Sequence, residues 1–250
     1  MYYYIYDNYL NESKHKGALF KIESRLTDLG INGKIVRLSV LKNLQKNISE
    51  ELNSGIKTVV VVGDDKTLSQ SINLIPDLNK VIGYIPVTNN SKIAKIMGIP
   101  SYEDACNTLS TRIIKKIDLG RINDLYYFFT CLEMPGDTLN IVCDDNYFIN
   151  VEGKNNIITV NNISFDDDSG NSAVLGNDGL IKLGIKHTEK KWFKPAKETF
   201  SRFKAKKINI TSDKSIPILI TDEKRIVKPP LEIKIAEKKL NLIVGKNRII

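Results

Sequence analysis

Histidine, tryptophan and cysteine are scarce in this chain of 250 residues. The two histidines, His15 and His187, are too few for a metal centre built on several imidazoles, and a histidine-based catalytic triad is not expected. The three cysteines, Cys106, Cys131 and Cys143, are odd in number and have no CxxC spacing. They are therefore predicted to be reduced thiols rather than a disulfide framework or a zinc site.

Long apolar runs are also missing. No stretch approaches the roughly 18 residues that a membrane-spanning helix needs. The first ten residues, MYYYIYDNYL, have neither the basic start nor the apolar centre of a signal peptide. These absences predict a cytoplasmic chain, with a peripheral position at the inner face of the membrane as the alternative.

The charge balance is basic, with 37 Lys and Arg against 29 Asp and Glu, which gives a net charge of +8. Such a surplus favours an anionic partner, either phosphate groups, nucleic acid or an acidic membrane surface. Nucleic acid is not expected, since the chain carries no recognised nucleic-acid-binding motif. The surplus is most concentrated in residues 186–207, where nine Lys and Arg are interleaved with Trp192, Phe193, Phe200 and Phe203. That pattern suits a lipid or anionic membrane surface, or else a solvated charged face with its aromatics in a core.

The chain is organised around residues 58–73, TVVVVGDDKTLSQSIN. Four consecutive valines, Val59 to Val62, are typical of a strand buried on both faces of a parallel sheet. A short turn, Gly63-Asp64-Asp65-Lys66-Thr67, then leads into apolar residues at helical spacing. A buried strand followed by a turn and a helix start can present backbone N–H groups to phosphate. An ordinary turn with an Asp or Thr helix cap explains the same residues.

Strands and helices alternate through the first half of the chain, which predicts a mostly parallel sheet with helices on both faces. One helix is expected over residues 41–52, and another is expected to begin at the capping residue Ser91 and to run to Met97, where Gly98 ends it. From about residue 115, short β-rich runs are separated by Gly, Asn and Asp clusters, as in an antiparallel sandwich. We therefore expect a three-layer α/β/α nucleotide-binding domain over residues 1–122. An antiparallel β-sandwich domain is expected over residues 123–250, with a nucleotide cleft between the two.

Five segments, in the right order, resemble the diacylglycerol kinase family, which includes bacterial lipid kinases and, distantly, NAD kinases. The turn at 63–67 is similar to the family's G-G-D-G-T, and residues 85–91, IPVTNNS, are similar to I-P-x-G-T-G-N. Residues 117–123, IDLGRIN, resemble I-D-L-G-x-V-N, and residues 177–183, NDGLIKL, resemble D-D-G-L-L-D-L. The strand 217–223, PILITDE, resembles the one that ends in D-G-E.

The resemblance implies phosphoryl transfer from ATP to a lipid hydroxyl with the help of Mg²⁺. It implies that Asp65 works with Mg²⁺ and the nucleotide, and that Glu223 is the general base for the lipid hydroxyl. The residues that it places against the nucleotide are Ser39, Gly63, Asp64, Asp65, Lys66, Thr67 and Asn89. It further implies a structural Mg²⁺ held by Leu175, Asp178 and Leu180, through one carboxylate and two backbone carbonyls.

Simpler structural roles compete with each of these assignments. Helix capping explains Asp65 and Thr67, and a solvated turn carboxylate explains Glu223. Ser39 and Asn89 are equally explained as polar side chains exposed to solvent on the surface. An Asn-Asp-Gly hairpin turn explains Asp178.

The chain departs from the family pattern where phosphate is expected. Asp64 and Lys66 replace two glycines of the first motif, and Thr88 and Asn90 replace glycines of the second. Lys92 stands where the family has an acidic residue. The family's G-x-G-x-D-A loop and the helical segment after it are also missing, so residue 129 leads almost directly into the next strands.

The lost glycines predict a phosphotransferase of weak or absent activity, or a non-catalytic pseudokinase that binds a nucleotide or an anionic membrane. A non-glycine residue costs about 1–2 kcal/mol wherever the turn keeps a left-handed conformation. Lys66 and Lys92 predict a different way of binding an anion, in which ammonium groups replace backbone N–H donors and Mg²⁺. The alternative is that both lysines point to solvent.

Overall fold

The computed structural model describes residues 1–38, 50–52, 55–75, 79–88, 90–165, 173–174, 177–191, 194–221 and 223–250. Side chains are described for the same residues except 164, 165, 173, 174, 190, 191 and 194–196. Three predicted site residues, Ser39, Asn89 and Leu175, lie outside the described residues. Of the helix predicted over residues 41–52, only residues 50–52 are described, and they are helical. The chain divides into two compact units, Met1–Ile117 with Lys238–Ile250, and Asp118–Glu237.

The first unit is built on a sheet whose first three neighbouring pairs of strands are parallel. Its elements up to residue 117 are β1 (Tyr2–Tyr6), α1 (Lys16–Asp28), β2 (Gly33–Arg37), β3 (Thr58–Gly63), α2 (Asp65–Leu74), β4 (Val81–Pro86), α3 (Lys92–Met97), α4 (Tyr102–Thr111) and β5 (Ile114–Ile117). Two short 3-10 helices, Asn8–Asn11 and Ser13–His15, follow β1.

The valine strand β3 lies in the interior of this sheet, between β1 and β4. All six of its residues are buried, which confirms the prediction of a strand covered on both faces. Helix α1 buries Leu19, Ile22 and Leu26 along one stripe, as its 3.6-residue periodicity predicts. Helix α3 begins at the capping residue Ser91 and ends at Gly98, whose φ of 71° is the left-handed conformation typical of a helix stop.

The described residues of the second unit form two six-stranded antiparallel sheets and one small two-stranded sheet. Its strands are β6 (Gly120–Ile122), β7 (Tyr126–Phe128), β8 (Cys131–Pro135), β9 (Thr138–Cys143), β10 (Tyr147–Glu152), β11 (Asn156–Asn161), β12 (Ser164–Phe165), β13 (Ala173–Val174), β14 (Ile181–Lys191), β15 (Lys194–Ala205), β16 (Lys207–Thr211), β17 (Ile216–Ile220), β18 (Glu223–Val227) and β19 (Leu231–Ile235).

The two large sheets have the strand orders β10-β9-β16-β19-β6-β7 and β15-β14-β11-β8-β17-β18. Alternate residues of both sheets contribute to one buried cluster, which includes Phe128, Ile141, Val160, Leu183 and Ile218. Burial on alternate residues is the pattern of strands that have one face on a core. The architecture is thus an α/β unit with an antiparallel β-sandwich unit, as the sequence predicts.

The last strand, β20 (Leu240–Ile243), departs from the predicted division of the chain. The sequence analysis placed residues 123–250 in the second domain, whereas β20 pairs in parallel with β4 and antiparallel with β5. The first sheet therefore has the order β2-β1-β3-β4-β20-β5. Leu240, Leu242 and Ile243 are buried, and Asn241 is half-buried. The strand lies between β4 and β5 of the first unit.

Candidate functional site

The turn after β3 is fixed by a reciprocal cap on helix α2. The Asp64 carboxylate accepts the backbone N–H of Thr67 at 2.8 Å, and the Asp64 backbone N–H donates to the Thr67 hydroxyl at 3.3 Å. Thr67 is completely buried, and its hydroxyl also donates to the Asp7 carboxylate at 2.6 Å. This arrangement is a capping box, so the capping explanation holds for Thr67, with Asp64 rather than Asp65 as its partner at the start of α2.

The turn does not use the left-handed conformation that the lost glycines suggested. Asp64 has φ −107° and ψ −178°, which is extended backbone that any residue adopts. Gly63 also lacks a positive φ, but a Cβ placed on it would lie 2.7 Å from the Thr67 hydroxyl oxygen. The expected backbone strain of about 1–2 kcal/mol at Asp64 therefore does not arise. What requires glycine at position 63 is the packing of Thr67.

Asp65, the first residue of α2, points to the start of helix α3. One carboxylate oxygen accepts the backbone N–H groups of Lys92 and Ile93, at 2.9 and 3.2 Å. The other accepts the Tyr84 hydroxyl at 3.0 Å and the Ser91 hydroxyl in a short hydrogen bond. A carboxylate at this position satisfies orphan N–H groups and complements the helix dipole.

Each oxygen of the Asp65 carboxylate thus already accepts two hydrogen bonds from the chain. To act on a phosphate group or on Mg²⁺, the carboxylate would have to give up these hydrogen bonds. Burial, followed by the Asp65 charge, raises the pKa of the Tyr84 hydroxyl, so Tyr84 remains a hydrogen-bond donor to this carboxylate. Asp65 thus links the start of α2 to strand β4 and to the start of α3 through hydrogen bonds.

A cavity of about 490 Å³ lies beside α3 within the first unit. Its polar lining comprises Thr88, Asn90, Ser91, Lys92, Lys95 and Asn247, with an apolar floor that includes Pro86 and Ile99. Lys92 and Lys95 are both exposed, so their ammonium groups can turn towards an anion in the cavity. Lys66 is exposed as well but is not among the lining residues, so the two lysines singled out by the sequence do not share this cavity.

Glu223 begins strand β18 in the second unit and is three-quarters buried. Its carboxylate pairs with the Arg225 guanidinium at 2.8 Å, and Arg225 itself lies 4.3 Å from the centre of the Tyr126 ring. A general base needs a lone pair directed at the hydroxyl whose proton it takes. Here one carboxylate oxygen is already directed at a cation.

Asp178 lies in an exposed turn before β14. Its carboxylate accepts the backbone N–H of Leu180 at 3.2 Å, and the neighbouring Gly179 N–H donates to Asp118 at 2.9 Å. The first of these contacts is that of an Asx turn, and the second ties the turn to Asp118. Within the residues that the structure describes, no three His, Cys, Asp or Glu side chains cluster as metal ligands. The Mg²⁺ assignment to Leu175, Asp178 and Leu180 stays a prediction.

The backbone of both units can be compared with known structures. No family model and no curated protein matches the sequence. A crystal structure of a diacylglycerol kinase from Bacillus anthracis superimposes with a TM-score of 0.76 at 15% identity, covering 98% of this chain and 97% of that chain. The chain has the diacylglycerol kinase fold.

The same fold relates the chain more distantly to an NAD kinase. The structure of an NAD kinase from Archaeoglobus fulgidus in complex with ATP matches with a TM-score of 0.59 at 12% identity, covering 100% of this chain and 96% of that chain. The resemblance read from five short motifs is thereby confirmed at the level of the fold.

The contacts of Asp65 and Thr67 involve three side chains to which the sequence analysis gave no functional part, namely those of Asp7, Tyr84 and Ser91. Ser91 was assigned only as the cap of α3, a role that the structure confirms by its hydrogen bond from the Ala94 N–H at 2.8 Å. Asp7 directly follows β1, which pairs in parallel with β3. The carboxyl ends of neighbouring parallel strands meet at one edge of a sheet. The position of Asp7 directly after a predicted strand could therefore have placed it beside the turn that follows β3.

The basic segment 186–207 forms most of the long hairpin β14–β15. Lys186 pairs with Glu198 at 2.6 Å and its ammonium lies 5.6 Å from the centre of the Phe200 ring, which is 55% exposed. Phe203 packs against the buried cluster instead. Trp192 and Phe193 lie outside the described residues. No helix of the described residues has the length and apolar character needed to cross a membrane.

Proposed function

We propose that this chain is a lipid-kinase-like protein whose phosphoryl transfer is weak or absent, and that its first unit retains nucleotide binding. The observation that carries the proposal is the Asp65 carboxylate, whose two oxygens accept four hydrogen bonds from the chain itself. The family reaction calls for this residue to act on Mg²⁺ and the nucleotide. Glu223, the candidate base, is likewise held by Arg225.

The nucleotide is proposed to bind in the cavity beside α3 with little dependence on Mg²⁺. Lys92 and Lys95 can supply the positive charge that balances phosphate, while the Asn90, Thr88 and Asn247 side chains offer hydrogen bonds. Where ammonium groups replace the metal as counter-charge, chelation of divalent cations has no effect on affinity. ATP and ADP are thus expected to bind alike with and without Mg²⁺.

Isothermal titration with ADP, with EDTA present, tests nucleotide binding. We expect measurable affinity in the wild type and a loss of at least about tenfold in Lys92→Ala/Lys95→Ala. Lys66→Ala removes an equally exposed lysine outside the cavity and serves as the matched control, with unchanged affinity. No heat in the wild type, or equal affinity in all three proteins, contradicts the proposal.

Catalysis is tested separately with radiolabelled ATP, Mg²⁺ and a mixed lipid extract. We expect incorporation into lipid to be at background in the wild type. Robust incorporation that disappears in Glu223→Gln overturns the pseudokinase proposal and identifies the chain as an active lipid kinase. Glu223→Gln is the chosen variant because it retains the size and most hydrogen-bonding capacity of the side chain.

A second candidate function is attachment to an anionic membrane through residues 186–207. The exposed Phe200 ring beside Lys186 supports it, because an aromatic ring next to cations suits the headgroup region of a bilayer. Flotation with anionic and neutral vesicles should show binding that depends on the anionic lipid and falls as salt rises. Lys190→Glu/Lys191→Glu is expected to abolish flotation, and the same charge change in Lys16→Glu/Lys57→Glu to leave it intact. Equal flotation of both variants excludes this segment.

A further inference from the structure

Strand β10 forms one edge of the sheet β10-β9-β16-β19-β6-β7, and its composition is unusual for an edge. It pairs with β9 on one side in continuous register, and with no strand of the described residues on the other side. Its residues Tyr147–Val151 include neither a charged residue nor a proline. Sheets ordinarily protect their edges with charges, prolines, bulges or short strands, because a free row of N–H and C=O groups pairs with other chains. Over these five residues β10 has no such protection.

The other edges of the three large sheets are protected. These edges are β2, β5, β7, β15 and β18, and β7 is only three residues long. Each of the other four carries at least two charged side chains. They include Lys34 and Arg37 in β2, Lys115 and Lys116 in β5, Lys197, Glu198 and Lys204 in β15, and Glu223, Lys224 and Arg225 in β18. Among the strands that the structure describes in these sheets, a long uncharged edge occurs at β10 alone.

Apolar side chains border the β10 edge on both faces of the sheet. Phe148 is 78% exposed on the outer face, where it pairs with the half-buried Val142 of β9. On the inner face Ile149 packs against the buried cluster but is only half-buried, and Tyr147 is 66% exposed. The core of the sandwich is therefore open to solvent at β10, and covering these side chains gains free energy.

A second copy of the chain fits this edge by symmetry. When a strand pairs with its own copy about a twofold axis perpendicular to the sheet, the two strands are antiparallel and one residue faces itself. With Ile149 on the axis, Tyr147 faces Val151 of the other copy, and Phe148 faces Asn150. The five uncharged residues then pair with one another, and the inner apolar face continues from one sheet into the next.

The charges at the ends of β10 also suit an antiparallel copy. Asp145, in the turn before β10, pairs with Lys207 at 2.8 Å and its side chain is still 69% exposed. Lys154 is exposed in the turn after β10. Antiparallel pairing brings the end of one strand beside the start of the other, so Lys154 of each copy comes near Asp145 of the other. Glu152 then faces the uncharged Asn146, and no like charges oppose each other within the strand.

We propose that two copies of the chain associate through β10, which joins their six-stranded sheets into one sheet of twelve strands. The contact lies within the second unit, so it forms independently of nucleotide binding in the first. One pair of edge strands buries less surface than a typical stable interface. The dimer is therefore expected to dissociate in the micromolar range rather than the nanomolar range.

Sedimentation of the full chain from micromolar to submillimolar concentrations tests the association. We expect a monomer–dimer equilibrium in the wild type. Asn150→Asp is an isosteric change of an exposed side chain that places a charge against the Phe148 ring of the other copy, and it should weaken association at least about tenfold. Asn140→Asp is the matched control, because Asn140 is exposed opposite Asn150, one strand further from the junction. A monomer at every concentration, or equal association of the two variants, refutes the proposal.

Cysteine cross-linking locates the pairing. A mixture of Phe148→Cys and Asn150→Cys should form a disulfide-linked dimer on mild oxidation, because facing residues of antiparallel strands have Cβ atoms about 4.5–5.5 Å apart. Asn140→Cys carries the same three native cysteines and should remain a monomer under these conditions. All the substituted side chains are exposed, and melting curves equal to the wild type verify folding. A wild-type dimer whose mixed variants do not cross-link uses another surface, and that result overturns the proposal.

Discussion

Replacing Asp65 by alanine should destabilise the first unit, whatever its effect on ligand binding. The substitution removes the acceptor for four donors, which are two backbone N–H groups at the start of α3 and the hydroxyls of Tyr84 and Ser91. An aspartate that served only a ligand would behave differently. Its removal would leave stability unchanged or raise it, since functional carboxylates are often destabilising.

The size of the effect follows from which donors water can reach. Lys92 is exposed, so its N–H can be hydrated after the substitution, and Ser91 keeps its hydrogen bond from Ala94. Tyr84 and Ile93 are each only 1% exposed. A buried group left without its partner costs about 1–3 kcal/mol. The Tyr84 hydroxyl keeps longer contacts to the Gly63 carbonyl and the Ser91 hydroxyl, at 3.5 and 3.4 Å, so its loss lies near the lower limit and the total is about 2–4 kcal/mol. That loss corresponds to a drop in melting temperature of roughly 5–10 °C.

The assay should report on the first unit by itself. The helices α1–α4 all lie there, so within the described residues the far-UV helical signal follows this unit, whereas the single tryptophan, Trp192, belongs to the second. Asp65→Asn keeps one acceptor oxygen and should fall between alanine and the wild type. Lys66→Ala, at the exposed next position, should melt like the wild type. If Asp65→Ala and Lys66→Ala melt together, the structural role of Asp65 is refuted.

Two further predictions concern the core of the first unit. Burial raises the pKa values of Tyr4, Tyr6 and Tyr84 in the folded state, so the unfolded chain loses these protons first as the pH rises. The free energy of unfolding should therefore fall as the pH rises past the ordinary tyrosine pKa of about 10. Denaturant titrations that show constant stability from pH 8 to about 11 would contradict this prediction. Gly83→Ala should destabilise the unit by about 1–3 kcal/mol, because its Cβ would collide with Leu109 of α4, and a melting curve unchanged from the wild type would show that α4 shifts freely.

Local signals in the sequence were sufficient for much of the first unit. The run Val59 to Val62 predicted a strand buried on both faces, and Ser91 and Gly98 predicted the bounds of α3. Each of these features depends on the preferences of a few neighbouring residues. Such preferences act over one turn or one strand, so they can be read without knowledge of the fold.

The features that sequence analysis missed depend on residues far apart in the chain. The hydrogen bonds of Asp65 reach Tyr84 and Lys92, 19 and 27 positions away, and cannot be inferred from capping rules at α2 alone. The pairing of Glu223 with Arg225 is close in sequence, but it required knowing that both residues lie on the inner face of β18. Similarly, the motif comparison identified lost glycines, while the φ angle of Asp64 shows that this replacement carries no strain.

The return of β20 to the first sheet has a consequence for how this chain is made. The second unit, residues 118–237, is an insertion within the first, joined to it by two covalent connections. Strands β4 and β5 have no link through the sheet until β20 lies between them. A ribosome must therefore complete the entire inserted sandwich before the first sheet can close. During that interval the edge of β4 is exposed, and the order of synthesis allows the sandwich to fold before the first unit is complete.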